Sequence, residues 1–240
     1  MLVQQQLKPF AWSYSKLKNY ETCPRRYYEI DHKKTVEQPR SQELDRGDKL
    51  HASMYDRVVG STPLPPEFIY MEKWAEKLSR VLEPCQIIQG EMKLSTDRQW
   101  QPTGYFAKNT WVRTKIDYLR QMRNGDGHDI GHIVDYKTGR PPKVWDGTQL
   151  VINAQLVFTH FKHIQRLRVD YLWTEWDDTT HETYSRRDVE QQIPAIEARV
   201  NVLELAHKNN YFPPTPNGLC EEYCDVTTCE FWGKPFRRRA

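Results

Sequence analysis

Lys115-Ile116-Asp117 and Asp135-Tyr136-Lys137-Thr138-Gly139 are the stretches that decide how this chain reads. Residues 109–121 and 129–138 alternate with period two, and Asn124-Gly125-Asp126-Gly127 between them has turn chemistry, so they read as neighbouring strands. Side chains two apart on a strand share a face, so Asp135 and Lys137 point the same way and meet Asp117 across the hairpin. Two carboxylates beside an ammonium suit a hard divalent cation and a phosphate. Such a cation makes water a better nucleophile, and the lysine orients that water and offsets the charge growing on the phosphoryl oxygens. The chemistry indicated is metal-dependent phosphodiester hydrolysis, with DNA as the expected substrate.

Working outward, residues 86–95 read as a strand before this pair. A helix at 146–161, with Leu150, Leu156 and Val157 buried, leads to a fourth strand at 168–176. Upstream, residues 13–30 read as a helix capped by Ser13 or Ser15 and broken at Pro24, with Leu17, Tyr20, Tyr27 and Tyr28 inward. A second helix spans 42–59 and stops at Gly60. A third, at 67–81, carries Phe68, Met71, Trp74 and Leu78 at helical spacing. A polar helix at 185–208 leads through Phe212-Pro213-Pro214-Thr215-Pro216 into a cysteine tail. Helices, three strands, a helix and a strand in that order describe an α/β core whose mixed central sheet is flanked by helices. The expected layout is a single domain over 1–240, with residues 41–208 as catalytic core. Residues 1–40 and 209–240 would form an accessory helical layer joined to the cysteine tail.

Composition narrows the class. A formal net charge of +3 over 240 residues is only mildly basic, so electrostatics alone does not announce a nucleic-acid binder. The basic residues nevertheless cluster at Arg25-Arg26, Lys33-Lys34, Arg166 with Arg168, Arg186-Arg187 and Arg237-Arg238-Arg239. No run of eighteen apolar residues and no signal-like start are present, so the expectation is a soluble, cytoplasmic protein without a membrane partner. Five cysteines, three of them crowded near the C-terminus, suit ligation better than a secreted disulfide framework. Cys23, Cys220, Cys224 and Cys229 supply four thiolates for a tetrahedral zinc or an iron–sulfur cluster, and their spacing alone does not choose. Bridging positions 23 and 220 would restrain the unfolded chain by roughly 4 to 5 kcal/mol. Cys85 fits neither pattern. Tyr14, Tyr27, Tyr28, Tyr105, Trp111 and Trp145 are suited to stacking unpaired bases beside the basic pairs, with burial in the core as the plain alternative.

The motifs occur in an order that resembles the RecB-like branch of the PD-(D/E)XK nuclease superfamily. Gly47 and His51 in Arg46-Gly47-Asp48-Lys49-Leu50-His51 resemble that branch's helical motif, whose histidine binds metal. Gly90-Glu91 resembles its strand glutamate, Lys115-Ile116-Asp117 its central aspartate, and Asp135-Tyr136-Lys137-Thr138-Gly139 its signature strand. Gln149-Leu150 with Asn153-Ala154 resembles the helical motif that follows, except that Asn153 stands where tyrosine is usual. The stretch from Ser13 to Tyr28, with Cys23-Pro24, is similar to the entry of iron–sulfur nucleases of the AddB type and of those associated with CRISPR adaptation.

The resemblance implies a restriction-endonuclease-like fold and a magnesium- or manganese-dependent DNA exonuclease. His51, Asp117 and Asp135 would bind metal, Lys137 would be catalytic, and Glu91 and Gln149 would support them. Gln149 and Asn153, four apart on one helix face, would contact phosphate, hold the lysine or simply form the polar face of the helix. Cys23, Cys220, Cys224 and Cys229 would hold a four-iron four-sulfur cluster, with zinc as the alternative. No helicase motif accompanies these residues, so the expected partners are single-stranded or end-loaded DNA and a separate helicase or recombinase, an arrangement that suits phage recombination. Two other readings remain: a binding or adaptor protein that has kept the fold and lost activity, and an RNA-directed nuclease.

Overall fold

In the computed structural model, residues 10–80, 87–123, 129–143 and 146–236 are described. Within them the chain forms two compact units. One comprises Ser41–Pro194 with Phe10 and Ala11, and the other Trp12–Arg40 with residues 195–236. The division falls inside the last long helix, at Pro194, where the ring removes a backbone donor and clashes with the preceding turn.

The first unit is built on a five-stranded sheet in sequential order: β1 (Ile87–Thr96), β2 (Val112–Arg123), β3 (Asp129–Lys137), β4 (Arg166–Trp173) and β5 (Asp178–Ser185). β1, β2 and β3 run antiparallel, β3 and β4 run parallel through the crossover helix α5 (Thr148–His160), and β5 returns antiparallel along β4. The mixed sheet flanked by helices is the α/β arrangement that the motif order implied. On one face lie α3 (Gln42–Gly60), a 3-10 turn (Pro66–Met71) and α4 (Glu72–Ser79). Leu50, Met54, Phe68, Met71 and Leu78 from these elements pack with Tyr118, Val134, Tyr136 and Leu172 of the sheet. The odd-numbered residues of β3 and β4 face the other way, where α5 packs across the strands.

β5 is the element that the sequence reading omits. Its residues, Asp178-Thr179-Thr180-His181-Glu182-Thr183-Tyr184-Ser185, are almost all polar, and only Tyr184 is buried. It is an edge strand without the apolar alternation that marks half-buried ones. The predicted helix at 67–81 begins instead as the 3-10 turn, because Pro65 and Pro66 start it. The predicted long helix at 13–30 is divided in the second unit.

There α1 (Tyr14–Thr22) is capped by Ser13, whose hydroxyl accepts from the Lys16 N–H. Cys23 is extended, with φ −165°, and Pro24 opens α2 (Pro24–Tyr27), where a missing N–H is harmless. A π-helical turn (Tyr28–Lys33) follows and ends at left-handed Lys34. The C-terminal part of α6 (Arg186–Asn209) supplies Ile196, Val200 and Leu203 to the core. Tyr27 donates to or accepts from His207 Nε2 at 2.8 Å, and Asn217 Nδ2 donates to the Thr22 carbonyl at 3.0 Å. The predicted turn at 124–127, Cys85, Trp145 and Arg237-Arg238-Arg239 lie outside the described residues.

Candidate active site

α3 brings His51 to the sheet one turn before Tyr55, and Tyr55 lies directly on Gly90 of β1. A Cβ at position 90 would stand 2.5 Å from Tyr55 Cδ2 and 3.2 Å from the Asp117 carbonyl oxygen. Only glycine allows this approach of helix to strand. Glu91 follows, between the Gly90–Tyr118 and Met92–Ile116 pairs of the β1–β2 register. It holds φ +52°, a left-handed conformation inside a strand, which costs on the order of 1–3 kcal/mol.

The strand pair turns over at this point. Thr114 Oγ1 donates to Asn153 Oδ1 of α5 at 2.6 Å, whereas Tyr118, four residues on, lies in the core beneath α3 and α4. In a regular strand the two would share a face. The reversal delivers Glu91 and Asp117 to the edge where α3 arrives.

Among the described residues, His51, Glu91 and Asp117 form a set whose ligand atoms all lie within 4.8 Å of one another. His51 Nδ1 is 3.3 Å from Asp117 Oδ1, and Asp117 Oδ2 accepts from the Tyr136 N–H at 2.9 Å. Glu91 Oε2 pairs with Lys115, while Glu91 Oε1 is buried and has no hydrogen-bond partner. A strained residue with an orphaned buried carboxylate oxygen, beside a histidine and a second carboxylate, fits a divalent cation. Glu91 thus stands among the candidate ligands rather than behind them.

Asp135, only 5 % exposed, lies next to this set on β3. Its Oδ2 is 2.6 Å from Lys137 Nζ, and its Oδ1 accepts from Gln149 Nε2 at 2.8 Å. Gln149 Oε1 accepts from Lys137 Nζ at 3.0 Å and from the Tyr171 hydroxyl at 3.2 Å. One amide on α5 therefore fixes carboxylate and lysine together, and Lys137 lies 4.8 Å from the centre of the Tyr171 ring. Burial pushes the Asp135 carboxyl up to about 6, with Lys137 opposing and Asp117 adding to the rise. Burial lowers His51, but the hydrogen bond to Asp117 and the charges of Asp117, Asp135 and Glu91 outweigh it, and its net shift is upward. The His51 shift expresses the negative charge around it, which a cation would relieve, whereas the Asp135 shift comes first from burial.

Asn153 does not join this group. It is 1 % exposed, bound to Thr114, and its Nδ2 has no hydrogen-bond partner. Its side chain is turned toward Thr114 of β2.

In the second unit, Cys23, Cys220, Cys224 and Cys229 line one pocket with Arg25, Arg26 and Trp232. The Thr215 N–H points at Cys23 Sγ (3.3 Å) and the Asn217 N–H at Cys220 Sγ (3.4 Å). Burial pushes the Cys224 thiol up, opposed by Arg26 and reinforced by Cys220 and Cys23. No three of these thiols fall within the 4.8 Å that unites the His51 set.

The chain is similar over 92 % of its length to the crystal structure of a proposed exonuclease from Eubacterium rectale, with 13 % identity, 90 % of that chain covered and a TM-score of 0.52. A crystal structure of SSO0001 aligns over 92 % of this chain and 86 % of its own, with 15 % identity and a TM-score of 0.43. No curated protein matches. The family model that describes the PD-(D/E)XK nuclease superfamily matches residues 11–229.

Proposed function

The chain belongs to the PD-(D/E)XK nuclease superfamily, and from that premise we propose a divalent-metal-dependent deoxyribonuclease that digests DNA from an end. The observation that carries the reading is the junction of two groups: the donor set of His51, Glu91 and Asp117, and the Asp135–Lys137–Gln149 unit beside it. Magnesium or manganese held by His51, Glu91, Asp117 and Asp135 would lower the pKa of a water and offset charge on the scissile phosphate.

The protein's own groups do the rest. Asp117 is held by the Tyr136 N–H, so its second oxygen is presented toward His51. Gln149 receives Lys137 and Tyr171 on one amide atom and grips Asp135 with the other. Lys137 is thereby aimed with its one remaining donor free for a water or a phosphoryl oxygen, where charge develops. Preference for an end follows the likeness in fold to the Eubacterium rectale protein, and a separate helicase or recombinase would present that end.

The second unit is proposed to hold a four-iron four-sulfur cluster on Cys23, Cys220, Cys224 and Cys229. Four thiols on one pocket, two of them facing backbone N–H groups, support this. No three of the thiols lie within 4.8 Å of one another, a spread that suits a cluster better than a single zinc. Bound there, it would supply a cross-link between the two chain termini of the unit.

The test is digestion of DNA and matched RNA oligonucleotides, labelled at either end, with each metal. Metal-dependent shortening of DNA that disappears in Asp135→Ala is expected. Cleavage of RNA alone, or equal activity in the variant, would overturn the reading.

A further inference from the structure

The loop joining β1 to β2 and the strand ends beside it carry chemistry that the metal ligands leave unused. Lys93 and Lys115 lie directly opposite each other in the β1–β2 register, and like charges so opposed weaken a sheet. Arg113, two residues from Lys115 and on the same side of β2, has a buried Nε without a hydrogen-bond partner. Its guanidinium lies 5.5 Å from the centre of the Tyr105 ring and 5.4 Å from that of Phe106. Lys93 Nζ is 5.9 Å from the Tyr105 ring, and the two rings meet edge to face at 5.0 Å. Phe106 is 77 % exposed.

An exposed loop phenylalanine alone would be an ordinary surface residue. Here it ends a row that begins at the candidate metal ligands: Lys115 pairs with Glu91, Lys93 faces Lys115, Tyr105 sits by Lys93, and Arg113 binds Tyr105 to Phe106.

We propose that this row is the track on which a single DNA strand lies as it enters the active site. Its phosphates rest against Lys115, Lys93 and Arg113, and its unpaired bases stack on Phe106 and Tyr105. The inference rests on the deoxyribonuclease reading for the identity of the strand. Three cations in a row match a polyanion, and Glu91 pairs with only one of them. The aromatic end adds discrimination: stacking needs an open base face, which a single strand offers and a duplex keeps inside its own stack.

The test is fluorescence anisotropy of the full chain with a labelled single-stranded 15-mer, its duplex and the matching RNA, with calcium in place of magnesium. Phe106→Ala should weaken single-strand binding roughly 5- to 150-fold with the salt dependence unchanged. Lys93→Ala should instead lower the slope of log affinity against log salt by about 0.7, and Phe106→Tyr should restore binding. Single-strand affinities within twofold of wild type for both variants, or equal losses on duplex, would overturn the track. Loss with RNA but not with DNA would reassign the strand. Weakened single-strand binding in a protein that cleaves nothing would sink the hydrolytic reading and leave the track standing.

Discussion

Replacing Gly90 by alanine tests whether close packing of α3 on β1 sets the geometry of the candidate ligands. The added Cβ would stand 2.5 Å and 3.0 Å from two ring carbons of Tyr55 and 3.2 Å from the Asp117 carbonyl. Carbon atoms rest at 3.5–4.0 Å, so ring and helix must withdraw by about 1 Å. Overpacking of this kind costs about 1–3 kcal/mol, and the reduced freedom of the unfolded chain returns about 0.4–1. The net loss is about 1 to 2 kcal/mol. The functional effect should be larger, because Tyr55 and His51 share a helix face and the neighbour of residue 90 is Glu91. A displacement of about 1 Å at a catalytic constellation can lower activity on the order of 100-fold. Urea unfolding and manganese titration of Gly90→Ala, Tyr55→Ala and the double variant form the assay. Tyr55→Ala should relieve the clash, making Gly90→Ala neutral in that background with a coupling of about 1–2 kcal/mol. Equal destabilisation in both backgrounds, or unchanged manganese affinity in Gly90→Ala, would refute the reasoning.

Gln149→Leu should lower kcat on DNA by roughly 100- to 1000-fold with KM little changed, because it frees Lys137 and Asp135 while leaving His51, Glu91 and Asp117 in place; single-turnover cleavage would show it, and a loss under tenfold would mean the lysine needs no such brace. Acid should weaken the second unit through His207, whose pKa is lowered to about 4 by burial, then by His32 and Lys16. A histidine depressed in the folded state contributes fully above its unfolded value near 6.5 and loses that contribution as pH falls through 4. About 2 to 3 kcal/mol should therefore disappear between pH 6.5 and 4, and urea midpoints of wild type and His207→Gln should differ in slope across that window. Cys23→Ser should abolish the brown visible absorbance of anaerobically purified protein and weaken the fold by up to about 4–5 kcal/mol; a colourless wild type with one zinc per chain would contradict the cluster.

Much of the fold was legible because its strands obey simple periods. Asp129–Lys137 and Val112–Arg123 carry β-branched and aromatic residues at alternate positions, and Leu150, Leu156 and Val157 mark α5 as buried. β5 was invisible because it lies at the sheet edge and buries only Tyr184, so its polar sequence carries no alternation. The break at Cys23 needed the extended conformation that precedes proline, which motif order alone does not supply. At the site, residue types and spacing pointed to Asp117, Asp135 and Lys137, and the family resemblance added His51, Glu91 and Gln149. The left-handed turn at Glu91, which brings this carboxylate against His51, is a backbone property for which glutamate gives no signal. Asn153 parts from Gln149 in the fold: its spacing from Gln149 puts both on one helix face, but β2 turns over beneath α5 and captures the asparagine at Thr114. Arg120 is likewise unforeseen, buried on β2 and bonded to the Tyr118 hydroxyl and the carbonyls of Lys77 and Leu78.

The claim that ligand set and lysine play separate parts is tested most directly by titrating manganese into wild type, Asp117→Ala and Lys137→Ala while DNA cleavage is read in the same samples. Wild type should bind and cleave, Asp117→Ala should do neither, and Lys137→Ala should bind manganese yet leave the DNA intact. Cleavage by Lys137→Ala at the wild-type rate, or full manganese binding by Asp117→Ala, would contradict the account.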